Sequence, residues 1–103
     1  MEISVGHTPD SDDAFMFYGM FTGKVPSPEF AVNHVIEDIE NLNLKATNPE
    51  LDVTAVSVHA CAYIPGYTIL RSGGSFGINY GPIVTAKKQM TIDEIKKCKI
   101  AIP

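Results

Sequence analysis

The stretch Ile3-Ser4-Val5-Gly6-His7-Thr8-Pro9-Asp10-Ser11-Asp12-Asp13-Ala14-Phe15 decides how the remaining residues are read. It opens as a short apolar strand, breaks at Thr8-Pro9, and passes into a helical pattern over 14–21. Asp10, Ser11, Asp12 and Asp13 offer capping acceptors and negative charge where that helix starts. Gly23 closes the helix, and Pro26 and Pro28 keep it from resuming. The order then repeats. Residues 30–36 alternate as a second strand, and 37–46 form a helix with Ile39, Leu42 and Ala46 on one face. Residues 52–56 are β-branched and apolar, as a central parallel strand requires, and lead into a short helix at 57–62. Further strands are expected at 67–72 and 82–86, with Gly73, Gly74, Gly77 and Gly81 between them. A helix over 91–97 opens with the capping box Thr91 to Glu94, and 98–102 reads as a last strand. Strands alternating with helices predict an α/β fold with a mainly parallel sheet and flanking helices.

The chain of 103 residues has the length of one domain, and 45% hydrophobic with 19% charged residues is globular composition. Its net charge of −4 and single Arg argue against nucleic-acid binding. Charge is unevenly placed, −8 over 1–52 against +4 over 53–103, which reads either as two differently solvated surfaces or as a basic half that faces an anionic ligand or an acidic segment. Cys61 and Cys98 are far apart, sit among apolar residues and read as buried, reduced thiols. The start Met1-Glu2-Ile3-Ser4-Val5-Gly6 has no basic region followed by a long apolar run, so no secretory signal is expected and the location expected is cytoplasmic. Residues 53–70 carry no Asp, Glu, Lys or Arg, but Ser57, His59, Pro65 and Gly66 interrupt them, which favours strand, helix and turn over a membrane span. The chain stops at Pro103 directly after a strand that expects a covering helix, which predicts a truncated protein with an apolar edge at 100–102 and self-association through it.

Two strand ends carry the candidate chemistry. In open α/β sheets ligands bind beyond the carboxyl ends of strands, where helix N-termini favour carboxylate or phosphate. Thr8 and Asp10 stand at the first such end. The three Asp residues lack the glycine turn and later Glu of a calcium loop, so no metal site is expected. At the second, Thr54-Ala55-Val56-Ser57-Val58-His59, Ser57 can cap the helix and still offer its hydroxyl and N–H to a ligand oxygen. It lacks the Gly-x-Ser-x-Gly setting of a nucleophile. His59, two residues on, is expected to point away from Ser57, and His7 and His34 have no suggestive neighbours. Arg71-Ser72-Gly73-Gly74-Ser75-Phe76-Gly77 is glycine-rich but is neither a P-loop nor a dinucleotide fingerprint, and reads as a flexible turn.

Taken together, these residues resemble the menaquinone-biosynthesis enzymes of the futalosine route. The matching segments are Thr8-Pro9-Asp10-Ser11-Asp12-Asp13-Ala14-Phe15-Met16-Phe17-Tyr18, Glu37-Asp38-Ile39-Glu40-Asn41-Leu42-Asn43, Asp52-Val53-Thr54-Ala55-Val56-Ser57, Leu70-Arg71-Ser72-Gly73-Gly74 and Tyr80-Gly81-Pro82-Ile83-Val84. Their order holds over essentially the whole chain, and the run at 38–43 looks closer to the 1,4-dihydroxy-6-naphthoate synthases than to the chorismate dehydratases. His7-Thr8-Pro9-Asp10 departs from the Ser-Pro-Cys-Pro opening usual in the synthases.

The resemblance implies a two-lobed fold like the type II periplasmic binding proteins, of which residues 1–103 are most of the N-terminal lobe. It implies a lyase acting on cyclic de-hypoxanthine futalosine, a small aromatic carboxylate substrate held in the interlobe cleft, and no cofactor. The His that serves as base is expected beyond Pro103. Ala55, Val56 and Ser57 match the substrate-contacting strand end, and Thr8, Asp10 and the segment around Gly81 match the cleft wall. A non-catalytic solute-binding protein of the same fold is the alternative, as is a chorismate dehydratase.

Overall fold

A computed structural model describes residues 1–79, 81 and 83–101. In chain order it contains β1 (Glu2–His7), α1 (Ser11–Phe21), β2 (Ala31–Ile36), α2 (Ile39–Thr47), β3 (Val53–Thr54), α3 (Val58–Cys61) and α4 (Ile92–Ile95). The strands form one parallel sheet in the order β2-β1-β3. Val5 is in register with His34 on one side and Val53 on the other. The expected α/β class with a parallel sheet and flanking helices is therefore what the chain adopts. The central position, expected for 52–56, belongs instead to β1, and β3 is a short strand at the sheet edge.

Side chains alternate across a strand, so Gly6 and His7 look to opposite faces. On one face α2 lies against Gly6. A Cβ built there would stand 2.6 Å from Leu51 Cδ1 and 2.9 Å from Leu42 Cδ2, closer than packed atoms approach, so a larger residue would force those two leucine side chains to shift. Leu42 and Ala46 of α2 are fully buried, as the face predicted from the sequence demands. On the other face His7 stacks on Phe17 and Phe21 of α1, with ring centroids at 5.0 and 4.8 Å. Asp52 fastens the start of β3. Its Oδ2 accepts the Ser4 N–H and the Ser4 hydroxyl, both at 2.8 Å, and its own N–H donates to Ser4 Oγ at 2.9 Å. The bond from the Ser4 amide, and then that from its hydroxyl, hold the Asp52 carboxyl below the usual carboxylate value.

Beyond Thr54 the described residues contain no strand. The expectations at 67–72, at 83–86 and at 98–101 are corrected accordingly; Pro82 and Ile102 lie outside the described residues. The physical reason is that a strand, unlike a helix, makes no hydrogen bonds within itself and needs a neighbour. These segments have none, and they leave Phe76, Ile78 and Ile83 close to four-fifths exposed. Tyr67 ties the segment back by donating its hydroxyl to the Leu51 carbonyl. The result is elongated: the radius of gyration is 17.3 Å, where a compact chain of this length has about 13 Å. α4 forms with the expected capping box between Thr91 and Glu94. Cys98, expected to be buried, is exposed, and its thiol donates to the Glu94 carbonyl.

Leu42→Ala is expected to lower stability by about 2–5 kcal/mol, the cost of a cavity in a packed core. Leu44→Ala, on the exposed side of the same helix, should stay within about 0.5 kcal/mol of the parent. Urea unfolding followed by circular dichroism measures both.

Candidate functional site

The three strands run in the same direction, so their carboxyl ends share one edge of the sheet, and α1, α2 and α3 all begin there. At the end of β1, Thr8 is buried and its polar atoms are committed. Its N–H and hydroxyl both donate to Asp13 Oδ2, at 2.7 and 2.8 Å. Asp13, inside the first turn of α1, is itself buried. Asp10 occupies the N-cap position, but its side chain makes no capping bond and stays exposed. Of the three Asp expected to share the capping role, Asp13 holds this turn, by reaching backward to Thr8. Asp12 accepts from the Ser75 hydroxyl, and that bond, first among several, holds its carboxyl below the usual value.

At the end of β2, Asp38 caps α2. Its Oδ1 accepts the Asn41 N–H at 3.0 Å and its Oδ2 accepts from Asn41 Nδ2. The Asn41 amide bond is the largest of the effects that keep the Asp38 carboxyl ionised to unusually low pH.

At the end of β3, the Ala55 N–H closes the pairing with the Gly6 carbonyl at 2.8 Å, Val56 is half-buried, and Ser57 caps α3. Asn43 of α2 reaches across to Ser57. Its Oδ1 accepts the Ser57 N–H at 3.0 Å and its Nδ2 donates to Ser57 Oγ at 3.3 Å. The Ala60 N–H takes the other lone pair of Oγ at 3.2 Å. The Ser57 N–H, expected to be free for a ligand, is thus used internally. The hydroxyl differs: with both lone pairs engaged it can only donate, and that hydrogen has no acceptor among the described residues.

Ser57 and Asn43 open onto a groove of about 290 Å³ between α2 and α3, which Glu40, His59 and Tyr63 also line. His59 therefore shares a surface with Ser57, contrary to expectation, and its ring lies 5.1 Å from that of Tyr63. A hollow of about 330 Å³ at the far end of α1, around Met20, Val25, Pro26 and Phe30, stands away from the strand ends. Gly81 is exposed with open space around it, and its neighbours Tyr80 and Pro82 lie outside the described residues. Among the described residues no three His, Cys, Asp or Glu side chains are grouped to hold a metal ion. No described helix is long and apolar enough to cross a membrane.

Asn43 is the residue that sequence reasoning passed over. Its signal was positional: it follows Leu42, at the border of the buried face of α2, where a polar side chain can reach a neighbouring element.

A family model described as menaquinone biosynthesis matches residues 3–103. The 1,4-dihydroxy-6-naphthoate synthase of Thermus thermophilus is 34% identical over 102 residues, which are 98% of this chain and 36% of that protein. A crystal structure of a protein from Archaeoglobus fulgidus superimposes with a TM-score of 0.73 at 56% identity, over 78% of this chain and 30% of the other. The chain thus spans about a third of the length of the proteins it matches.

Ser57→Ala is expected to cost about 0.5–2 kcal/mol, as loss of a cap does. Asn43→Ala, which strands the Ser57 N–H, should cost about 1–3 kcal/mol. Since either change breaks the same contact, the double variant should lose less than the two singles together, and a double-mutant cycle on thermal unfolding reads the coupling.

Proposed function

The chain belongs to the menaquinone biosynthesis family, and from that premise we propose that it forms most of the first lobe of a lyase like the 1,4-dihydroxy-6-naphthoate synthases. The substrate in this proposal is cyclic de-hypoxanthine futalosine, an aromatic carboxylate carrying a sugar-derived ring. It is held in a cleft against a second lobe, which brings the base. The fold is that of a type II binding protein and the setting is cytoplasmic.

The observation that carries this is the uncommitted Ser57 hydroxyl at the start of α3. The three helix starts at this edge differ in charge. α1 carries Asp12 and Asp13 in its first turn and α2 carries Glu40, whereas α3 carries no acid there. The first two helix starts carry their own acids, and the third offers the Ser57 O–H as a donor, with Glu40 of α2 lining the same groove. Ala55 and Val56 lead into that donor along the chain, and the His59 and Tyr63 rings, tilted to each other, offer aromatic faces to a ligand ring in the groove. Glu40, in the same groove, suits a hydroxyl of the sugar-derived ring. Asp10 keeps a free carboxylate for the same purpose, Thr8 acts through the loop it ties down, and Gly81 leaves room for the ligand.

Chemically, this lobe binds and orients. Closure of the cleft excludes water, so that a proton leaves the substrate in a low-dielectric setting. Residues 1–103 alone are expected to form no product from the cyclic substrate, by mass spectrometry, and to associate through their exposed apolar residues, by light scattering.

Calorimetric titration of the intact protein with 1,4-dihydroxy-6-naphthoate tests the site. Ser57→Ala should weaken binding by about 1.5–3 kcal/mol, the worth of a hydrogen bond to a charged group. Asn43→Asp should weaken it as well, because a carboxylate beside Ser57 Oγ takes the hydroxyl hydrogen for itself. An unchanged dissociation constant with a lowered melting temperature would leave Ser57 a helix cap and nothing more.

A further inference from the structure

His7 and His34 have no part in the site described, and both are held in an unusual way. His7 is 2% exposed. Its Nδ1 lies 2.9 Å from the Thr8 carbonyl oxygen. A carbonyl only accepts, so Nδ1 carries the hydrogen and Nε2 is left with a lone pair. That Nε2 is buried without a partner, and so is His34 Nδ1. The two rings meet edge to face, with centroids 5.9 Å apart. Phe17 stacks on His7, and Phe21 covers both rings, its centroid 4.8 Å from that of His7 and 3.6 Å from that of His34.

Every element around this box is accounted for. β1 contributes His7 and β2 contributes His34. α1 contributes Phe17 and Phe21, which do not titrate, while its Asp13 is turned to Thr8. Glu37, after β2, gives its N–H to the His7 carbonyl, and its carboxylate pairs with Lys45. β3 meets β1 at Val53 and Thr54, neither of which titrates. Burial, followed by the proximity of His7, holds the His34 imidazole below its ordinary value of 6.5. Both orphan nitrogens are closed to water, so the ligand they suit is the smallest one, a proton.

The geometry points to a proton-operated latch under the strand-end loop: uptake of a proton by the His7–His34 pair loosens α1 from the sheet and releases residues 8–13. The connection is covalent and short. His7 Nδ1–H holds the Thr8 carbonyl, and the Thr8 N–H and hydroxyl hold Asp13 at the start of α1. A proton on buried His7 Nε2 or on His34 Nδ1 meets no carboxylate among the described residues, so the charged form favours opening of the box over its closed state. The direction follows from the lowered His34 value. The unfolded or opened chain binds the proton more readily, so the closed state is at full strength above about pH 6.5 and weakens as pH falls from there toward the folded value. The latch does not depend on what the neighbouring site binds.

In the intact protein, amide exchange at Thr8 and Asp13 and the imidazole resonances are followed by NMR from pH 8 down to pH 5, with exposed His59 as an internal reference. Protection of the Thr8 amide, corrected for intrinsic exchange, should fall by up to about tenfold per pH unit through the window, the limit for one proton. His34→Phe, which fills the box without titrating, should abolish that slope. An equal slope in His34→Phe overturns the latch. Should that variant not fold, the parent decides alone: a His34 midpoint below the ordinary value of 6.5, matched by the loss of Thr8 protection, supports it. A His34 midpoint at or above that value, or protection that ignores pH, overturns it.

Discussion

Leu42 rests where a side chain on Gly6 would be, and most of the molecule's order follows from that contact. With Leu42 and Leu51 both within 3 Å of an ideal Cβ on Gly6, the space over Gly6 is filled by those two side chains, and a larger residue there would displace them. A helix fixed at one residue is fixed at the next. Asn43 is thereby delivered to the end of β3, where it takes the Ser57 amide and one lone pair of its hydroxyl. The two bonds that Asn43 makes to Ser57 thus rest on a packing contact one residue away, next to it on the same helix. The close approach also explains why the core is small yet tight, with Leu42 and Ala46 fully buried while many larger apolar groups stay exposed.

Electrostatics divides the edge of the sheet. Most of the acids of the first half gather at the starts of α1 and α2, where helix N-termini stabilise them; the Ser75 hydroxyl lowers the Asp12 carboxyl and the Asn41 amide lowers that of Asp38. α2 satisfies a first-turn amide with the Asp38 carboxylate, α1 has no side-chain cap bond from Asp10, and α3 is capped by the uncharged Ser57, without a basic side chain among the three caps.

The parts of this arrangement that were legible in the sequence are those fixed by local rules. The helix starts at Ser57 and Thr91, the buried face of α2 and the parallel pairing of β1 with β2 all follow from capping chemistry, periodicity and alternation. Long-range matters were not legible. That β1 is central, that Asn43 meets Ser57 over 14 residues, and that His7 meets His34 over 27, depend on how elements pack, which no local pattern encodes. The strands expected after Thr54 fail for the same reason. Their apolar composition is real, but composition states what a segment would bury and is silent on whether a neighbour is there to bury it.

Among the described residues the sheet ends at Thr54. During synthesis, at about 5–20 residues per second, that portion leaves the ribosome seconds before the apolar stretch around Phe76, Ile78 and Ile83 follows it. A nascent chain of this kind presents a settled nucleus trailed by a greasy, unpaired ribbon. The order of emergence then protects the Gly6–Leu42 contact from competition, since it is already closed when the stickier residues arrive.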